Sequence, residues 1–176
     1  MLRAIALALS ALGLFATFAA AHGPTRQKVT ETVEINAPAD KVWAVVGNFQ
    51  DMSWHPAFAK TEGTGGNEAN ATRTLTLTSG DTIEEKLLSS DPAKMIYKYE
   101  ITKVDTKVLP VNNYSSNISV KGEGDKSTVE WKGAFYRGFM NNDPPPELSD
   151  EAAKKAVTSV YRAGLDALKK KIEAGG

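Results

Sequence analysis

Residues 149–174, SDEAAKKAVTSVYRAGLDALKKKIEA, decide how this chain must fold. Ala153, Ala156, Val157, Val160, Tyr161, Gly164, Leu165, Leu168 and Ile172 recur at spacings of three and four. One face of a long helix is therefore apolar and the other is wet. Ser149 is placed to cap the first turn, where Asp150 and Glu151 follow, and Lys169, Lys170 and Lys171 sit in the last turns. That charge order matches the helix dipole. A lone helix with one buried face needs a sheet to bury it against. Gly164, in the middle of the stripe, costs about 1 kcal/mol relative to alanine. Such a cost predicts that a strand or a ligand comes close at that point.

The sheet precedes the helix. In 27–36 (QKVTETVEIN), Val29, Glu31, Val33 and Ile35 alternate with Lys28, Thr30, Thr32 and Glu34, which is the period of a strand. Asn36-Ala37-Pro38 breaks it, and Pro38 is suited to open a short helix over 38–47 (PADKVWAVVG). Residues 48–56 (NFQDMSWHP) read as a second short helix or turn ending at Pro56. Strand character then returns at 57–62, 71–78, 82–90, 94–102, 113–121 and 126–136. Ser79-Gly80-Asp81, Asp91-Pro92 and Gly122-Glu123-Gly124-Asp125 are hairpin breaks, and Asn141 to Pro146 is a stiff loop. Consecutive hairpins make an antiparallel sheet. The expected class is α+β: a curved seven-stranded antiparallel sheet wrapped around the long C-terminal helix, with two short helices after the first strand. A gap between sheet and helix is a candidate pocket.

The N-terminus carries a different signal. Met1-Leu2-Arg3 is a short positive region, residues 4–18 are apolar without a charge, and Ala19-Ala20-Ala21 offers small residues for cleavage. This is the layout of a signal peptide over residues 1–21, and it predicts export. The apolar stretch is shorter than the roughly 20 residues a spanning helix needs, so no membrane attachment is expected after cleavage. Residues 22–176 then form a single domain of 155 residues. Arg3 is the only charge in the removed segment, so the remainder has 20 basic and 21 acidic residues, a net charge of −1. That balance gives nucleic acid no basic footprint. There is no cysteine, which removes thiol nucleophiles, thiolate-held iron–sulfur clusters and C-x-x-C-H haem attachment. No P-loop, G-x-G-x-x-G, G-x-S-x-G or H-E-x-x-H motif occurs, and no cofactor is expected.

Together with the order of elements, N-A-P-A-D-K-V-W at 36–43, W-H-P at 54–56 and Y-R-A-G-L-D-A-L-K at 161–169 resemble the START-like helix-grip superfamily, also called SRPBCC. That superfamily includes polyketide cyclase/dehydrase and lipid-transport proteins. A narrower set of motifs adds to it: R-T-L-T-L at 73–77, E-K-L-L-S at 85–89, M-I-Y-K-Y-E-I at 95–101, L-P-V-N-N-Y at 109–114 and V-E-W-K-G-A-F-Y at 129–136. Behind a signal peptide these resemble the MxaD-type periplasmic proteins of bacterial methanol oxidation. The resemblance implies periplasmic residence and an accessory, non-catalytic role. The partners it implies are methanol dehydrogenase and its c-type cytochrome, whose interaction or electron transfer the protein would promote. The alternative is a carrier for a small apolar ligand or lipid, or a cyclase/dehydratase-like enzyme working through Glu85 and His55.

Several residues are candidates for the pocket. His55, in Trp54-His55-Pro56, would serve at the rim as acid/base or ligand contact. The plainer reading carries more weight: a turn residue whose ring caps a helix end, since one histidine without a placed partner is not a catalytic constellation. Glu85 shares a strand face with Ile83 and Leu87, where burial would raise its pKa. Arg73, in phase with Leu75 and Leu77, would pair with it on the neighbouring strand; a buried pair and an acid/base role are compatible. Tyr97 and Tyr99, Tyr114, and Trp131 fall on apolar strand faces, either as ordinary core or as a cavity lining with polar handles. His22, as a new N-terminus, would bring an amine and an imidazole that suit copper. The sequence offers no second cluster beyond His55, so no metal site is expected.

Overall fold

The computed structural model describes residues 23–175. Residues 1–21, where the sequence predicts a signal peptide, and His22 lie outside them. β1 (Gln27–Ile35) is followed by α1 (Ala39–Val46), then β2 (Phe58–Thr64), β3 (Thr72–Leu77), β4 (Thr82–Asp91), β5 (Ile96–Val104), β6 (Val111–Glu123), β7 (Lys126–Arg137) and α2 (Asp150–Ala174). The seven strands form one antiparallel sheet in the order β1-β7-β6-β5-β4-β3-β2. Six strands thus run as a meander, and β1 returns to pair with β7.

Residues 48–56 are the point where the expectation of two short helices gives way. α1 ends when the Gly47 N–H bonds Trp43 O, and the next residues form linked turns. Asn48 Oδ1 accepts from the Gln50 N–H at 3.0 Å, and Asp51 Oδ1 accepts from the Ser53 N–H at 2.8 Å. Side chains that bond nearby backbone N–H groups offer the chain an alternative to a helical ladder. The turns send Phe49, Met52 and Trp54 inward together, which one helix face could not do at those spacings.

α2 keeps its expected start. Ser149 Oγ accepts from the Ala152 N–H at 3.2 Å. Ala153, Val157, Tyr161, Gly164, Leu165 and Leu168 are buried, and Ala156, Val160 and Ile172 pack at the margin. The helix lies over β1 and β7. Three contacts at the β1 edge hold it there: Arg162 Nε pairs with Glu31 Oε2 at 3.0 Å, Arg162 Nη2 donates to Thr32 O at 2.8 Å, and Lys169 Nζ donates to Glu34 O at 2.7 Å. Over β3, β4 and β5, the cavity-lining residues Leu75, Ile83 and Tyr99 are met by Met52, Ala57 and Phe58 of the 49–58 segment, by Val108 and Leu109, and by Val160 of α2. No helix among the described residues is long and apolar enough to cross a membrane.

Candidate functional site

Arg73 on β3 and Glu85 on β4 face each other directly across the strands. Both point into the concave side because the two-residue period places them in phase with Leu75 and with Ile83 and Leu87, which are buried. Arg73 Nε donates to Glu85 Oε2 at 2.6 Å, and Arg73 Nη1 donates to Phe49 O at 2.6 Å. The guanidinium lies 4.2 Å from the centroid of the Phe49 ring and 5.3 Å from that of Tyr99, distances at which a ring face attracts a cation. Nη2 and the nearby Tyr97 hydroxyl are sealed without hydrogen-bond partners among the described residues. Burial pushes the Glu85 carboxyl up from its ordinary value, and the Arg73 guanidinium opposes that shift. The pair is the expected one, and it ties the 49–58 segment to the sheet.

Beside it runs a network of hydroxyls. Trp131 Nε1–H is shared between Tyr99 Oη at 3.0 Å and Ser116 Oγ at 3.1 Å. Ser116 Oγ donates to Lys132 O at 2.8 Å and lies 3.0 Å from Tyr161 Oη. Tyr161 in turn bonds Tyr114, whose oxygen is 3.4 Å from Tyr99 Oη. Burial raises the pKa of Tyr97, Tyr99, Tyr114 and Tyr161 alike, so each is a neutral phenol and a donor. Trp131 stacks on Tyr161 with centroids 4.4 Å apart and planes 12° from parallel. The strand must have glycine at 133 for this to happen: a Cβ there would stand 2.2 Å from Tyr161 Oη.

A cavity of about 60 Å³ lies between these groups. Arg73, Glu85, Tyr99, Tyr114 and Trp131 line it, with Leu75, Ile83 and Ile101 as an aliphatic wall. Five of the eight residues expected at a pocket thus meet in one place. Trp54, His55 and Tyr97 are buried nearby but do not line it. Ser116 and Tyr161 complete the polar network and were not singled out from the sequence. Tyr161 was legible only as part of the helix stripe, because its hydroxyl partners come from β6.

His55 is a brace. Its Nδ1 accepts from the Ala57 N–H at 3.1 Å, which leaves Nε2–H to donate to Val160 O at 2.9 Å in the middle of α2. The ring is thereby committed to one neutral tautomer. It sits where Gly164 leaves room: a Cβ at 164 would come within 2.3 Å of His55 Cδ2 and 2.9 Å of Trp131 Cζ3. The close approach expected at Gly164 is therefore made by the histidine and tryptophan rings. Gly164→Ala gains about 1 kcal/mol of helix propensity and incurs an overpacking cost of about 1–3 kcal/mol. Its urea midpoint should fall, against the usual rule for glycine in a helix.

The brace also sets a pH dependence. Burial lowers the His55 pKa, with the carbonyl of Val160 acting in the opposite direction. A depressed pKa stabilises the fold above the unfolded value, about 6.5, and that stabilisation is lost as pH falls towards the folded value. Folding free energy should decline below pH ~6.5 with a slope of at most about 1.4 kcal/mol per pH unit. Urea titrations of the protein and of His55→Gln should show that slope in the first and not in the second.

Among the described residues no three His, Cys, Asp or Glu side chains cluster to hold a metal ion. An open curved sheet gripping one long helix, with a small cavity between them, defines the helix-grip class. The profile of the family "Polyketide cyclase / dehydrase and lipid transport" matches residues 26–173, and the chain belongs to that family. An uncharacterised Bacillus thuringiensis protein is similar at 32% identity and TM-score 0.71, over 83% of this chain and 98% of that one. XoxI from Bacillus cereus is similar at 32% identity and TM-score 0.70, over 82% of this chain and 94% of that one. The Zhui aromatase/cyclase from Streptomyces shares the fold at 18% identity and TM-score 0.65, over 85% of this chain and 94% of that one. No curated protein matches the chain.

Proposed function

We propose that this chain is an exported accessory protein of bacterial methanol oxidation, which promotes interaction and electron transfer between methanol dehydrogenase and its c-type cytochrome. The observation that carries this reading is the filled interior. A cavity of about 60 Å³ is far below the roughly 300–1,000 Å³ of sites that enclose drug-sized ligands. The groups best suited to acid/base work are engaged: Arg73 with Glu85 and Phe49, and His55 with Ala57 and Val160. A carrier or cyclase using Glu85 and His55 draws less support, because His55 is off the cavity lining and a polycyclic substrate exceeds the space. The work is then done on the outer surface, by contact. The MxaD-like motifs at 73–77, 85–89, 95–101, 109–114 and 129–136 support the partners, and the layout of residues 1–21 supports the periplasm.

The test is a titration of the purified protein into methanol dehydrogenase and its cytochrome at several salt concentrations. Cytochrome reduction should accelerate and saturate near one equivalent. An unchanged rate at every salt concentration overturns the proposal. Osmotic-shock fractionation of the native host should release the chain, without residues 1–21, into the periplasmic fraction.

A further inference from the structure

The two edges of the sheet are finished differently. At β1, side chains of α2 take up backbone groups: Arg162 Nη2 donates to Thr32 O at 2.8 Å and Lys169 Nζ donates to Glu34 O at 2.7 Å. Just past the strand, Glu173 Oε1 accepts from the Asn36 N–H at 2.9 Å. β2 is the other edge, and among the described residues no segment pairs with its outer side. Ala59, Lys60, Glu62, Gly63 and Thr64 are exposed. Such an edge presents N–H and C=O groups as a template for another strand. The strand is also held in place. Thr61 Oγ1 accepts from the Met52 N–H at 3.3 Å, and Gln50 Nε2 donates to Thr64 O at 3.3 Å. Its register with β3 is regular from Lys60 to Thr64, and the one irregularity falls between Phe58 and Lys60.

We propose that β2 is a self-association surface, which pairs antiparallel with β2 of a second copy of this chain about a two-fold axis through Thr61. The two seven-stranded sheets then join edge to edge, with main-chain hydrogen bonds supplying the affinity. Charge selects both the occupant and the register. Lys60 and Glu62 project from the same face of the strand, where Lys60 Nζ lies 2.8 Å from Glu62 Oε1 and each side chain is 60% exposed. An axis through Thr61 sets Lys60 opposite the partner's Glu62 and Glu62 opposite the partner's Lys60. The four charges alternate in sign, and opposite charges directly across two strands attract. An axis through Lys60 or through Glu62 sets like charges opposite each other, which is destabilising. A lysine on an edge strand ordinarily keeps copies of a chain apart. Glu62, two residues on, cancels that effect here. The contact is isologous, so it closes at two copies, and the covered β1 edge gives the joined sheet no means of growing further. The inference does not depend on the accessory role.

The experiment is sedimentation velocity on the purified protein from micromolar to millimolar concentration, where a reversible monomer–dimer equilibrium is expected. Lys60→Glu and Glu62→Lys should each weaken the dimer by about 10-fold, because two attractive cross-strand pairs become two repulsive ones. An equimolar mixture of these two variants should associate as the parent does, since each β2 then carries one sign of charge and meets the other. The double variant Lys60→Glu, Glu62→Lys restores the alternation in reverse order and should also dimerise like the parent. It decides the question if either single variant fails to fold. A parent that stays monomeric at every concentration overturns the proposal and leaves the edge to a strand of another protein. Single variants that associate as the parent does, a mixture of folded variants that stays monomeric, or a folded double variant that does not dimerise overturns it as well.

Discussion

Glu85→Gln should lower the stability of the fold by about 3–5 kcal/mol, the usual effect of removing one partner from a buried pair. For a domain of this size that corresponds to roughly 6–20 °C in the melting midpoint. The reason is what remains. Arg73 is fully buried between Phe49 and Tyr99, and a neutral carboxamide leaves its charge uncompensated. The double replacement Arg73→Met with Glu85→Leu should behave oppositely. Two apolar side chains of similar volume need no desolvation, and such swaps are often neutral or stabilising by about 1–4 kcal/mol. Calorimetry on the two singles and the double gives the coupling directly. A double variant no more stable than the singles would mean that the Nη1 bond to Phe49 O, which no aliphatic side chain replaces, dominates the site.

Tyr161→Ala should cost about 3–5 kcal/mol, as for other large aromatic truncations in a core. Tyr161 joins helix to sheet twice, by stacking on Trp131 and by its hydroxyl between Tyr114 and Ser116. Tyr161→Phe separates the two contributions. The stack survives, while Tyr114 and Ser116 lose a buried partner, at about 1–3 kcal/mol. Tryptophan emission, to which Trp43 and Trp54 also contribute, should shift in Tyr161→Ala, where Trp131 loses its stack, and stay close to that of the parent in Tyr161→Phe. An alanine variant as stable as the phenylalanine variant would show that the stack contributes nothing.

The long helix and the individual strands were legible because their periods are unambiguous, whereas the return of β1 to pair with β7 was not. The stripe from Ala153 to Ile172 repeats in threes and fours, and Ser149 marks its start. The Arg73–Glu85 pair was legible for the same reason: each residue is in phase with aliphatic neighbours, and the hairpin at Ser79-Gly80-Asp81 sets the two strands in register. The 48–56 segment was half legible. Its apolar residues suggested a helix, but the side chains of Asn48 and Asp51 hold the backbone in turns. Tyr161 and Ser116 were not legible as partners, since 45 residues separate them and only the closed fold brings them together. The role of His55 needed the same closure. Its turn bond to Ala57 is local, but its bond to Val160 reaches 105 residues along the chain. Gly164 carried the one sequence signal of that contact, an exposed cost in a helix that some close neighbour had to explain.

The most direct measurement is stopped-flow reduction of the c-type cytochrome by methanol dehydrogenase, with the protein added either as it stands or as the Arg73→Met, Glu85→Leu double variant. Both should accelerate the reaction to the same extent, because in the proposed function the buried pair only shapes the scaffold and the partners bind its outside. No acceleration by either form, or its loss in a double variant that remains folded, would contradict that division between interior and surface.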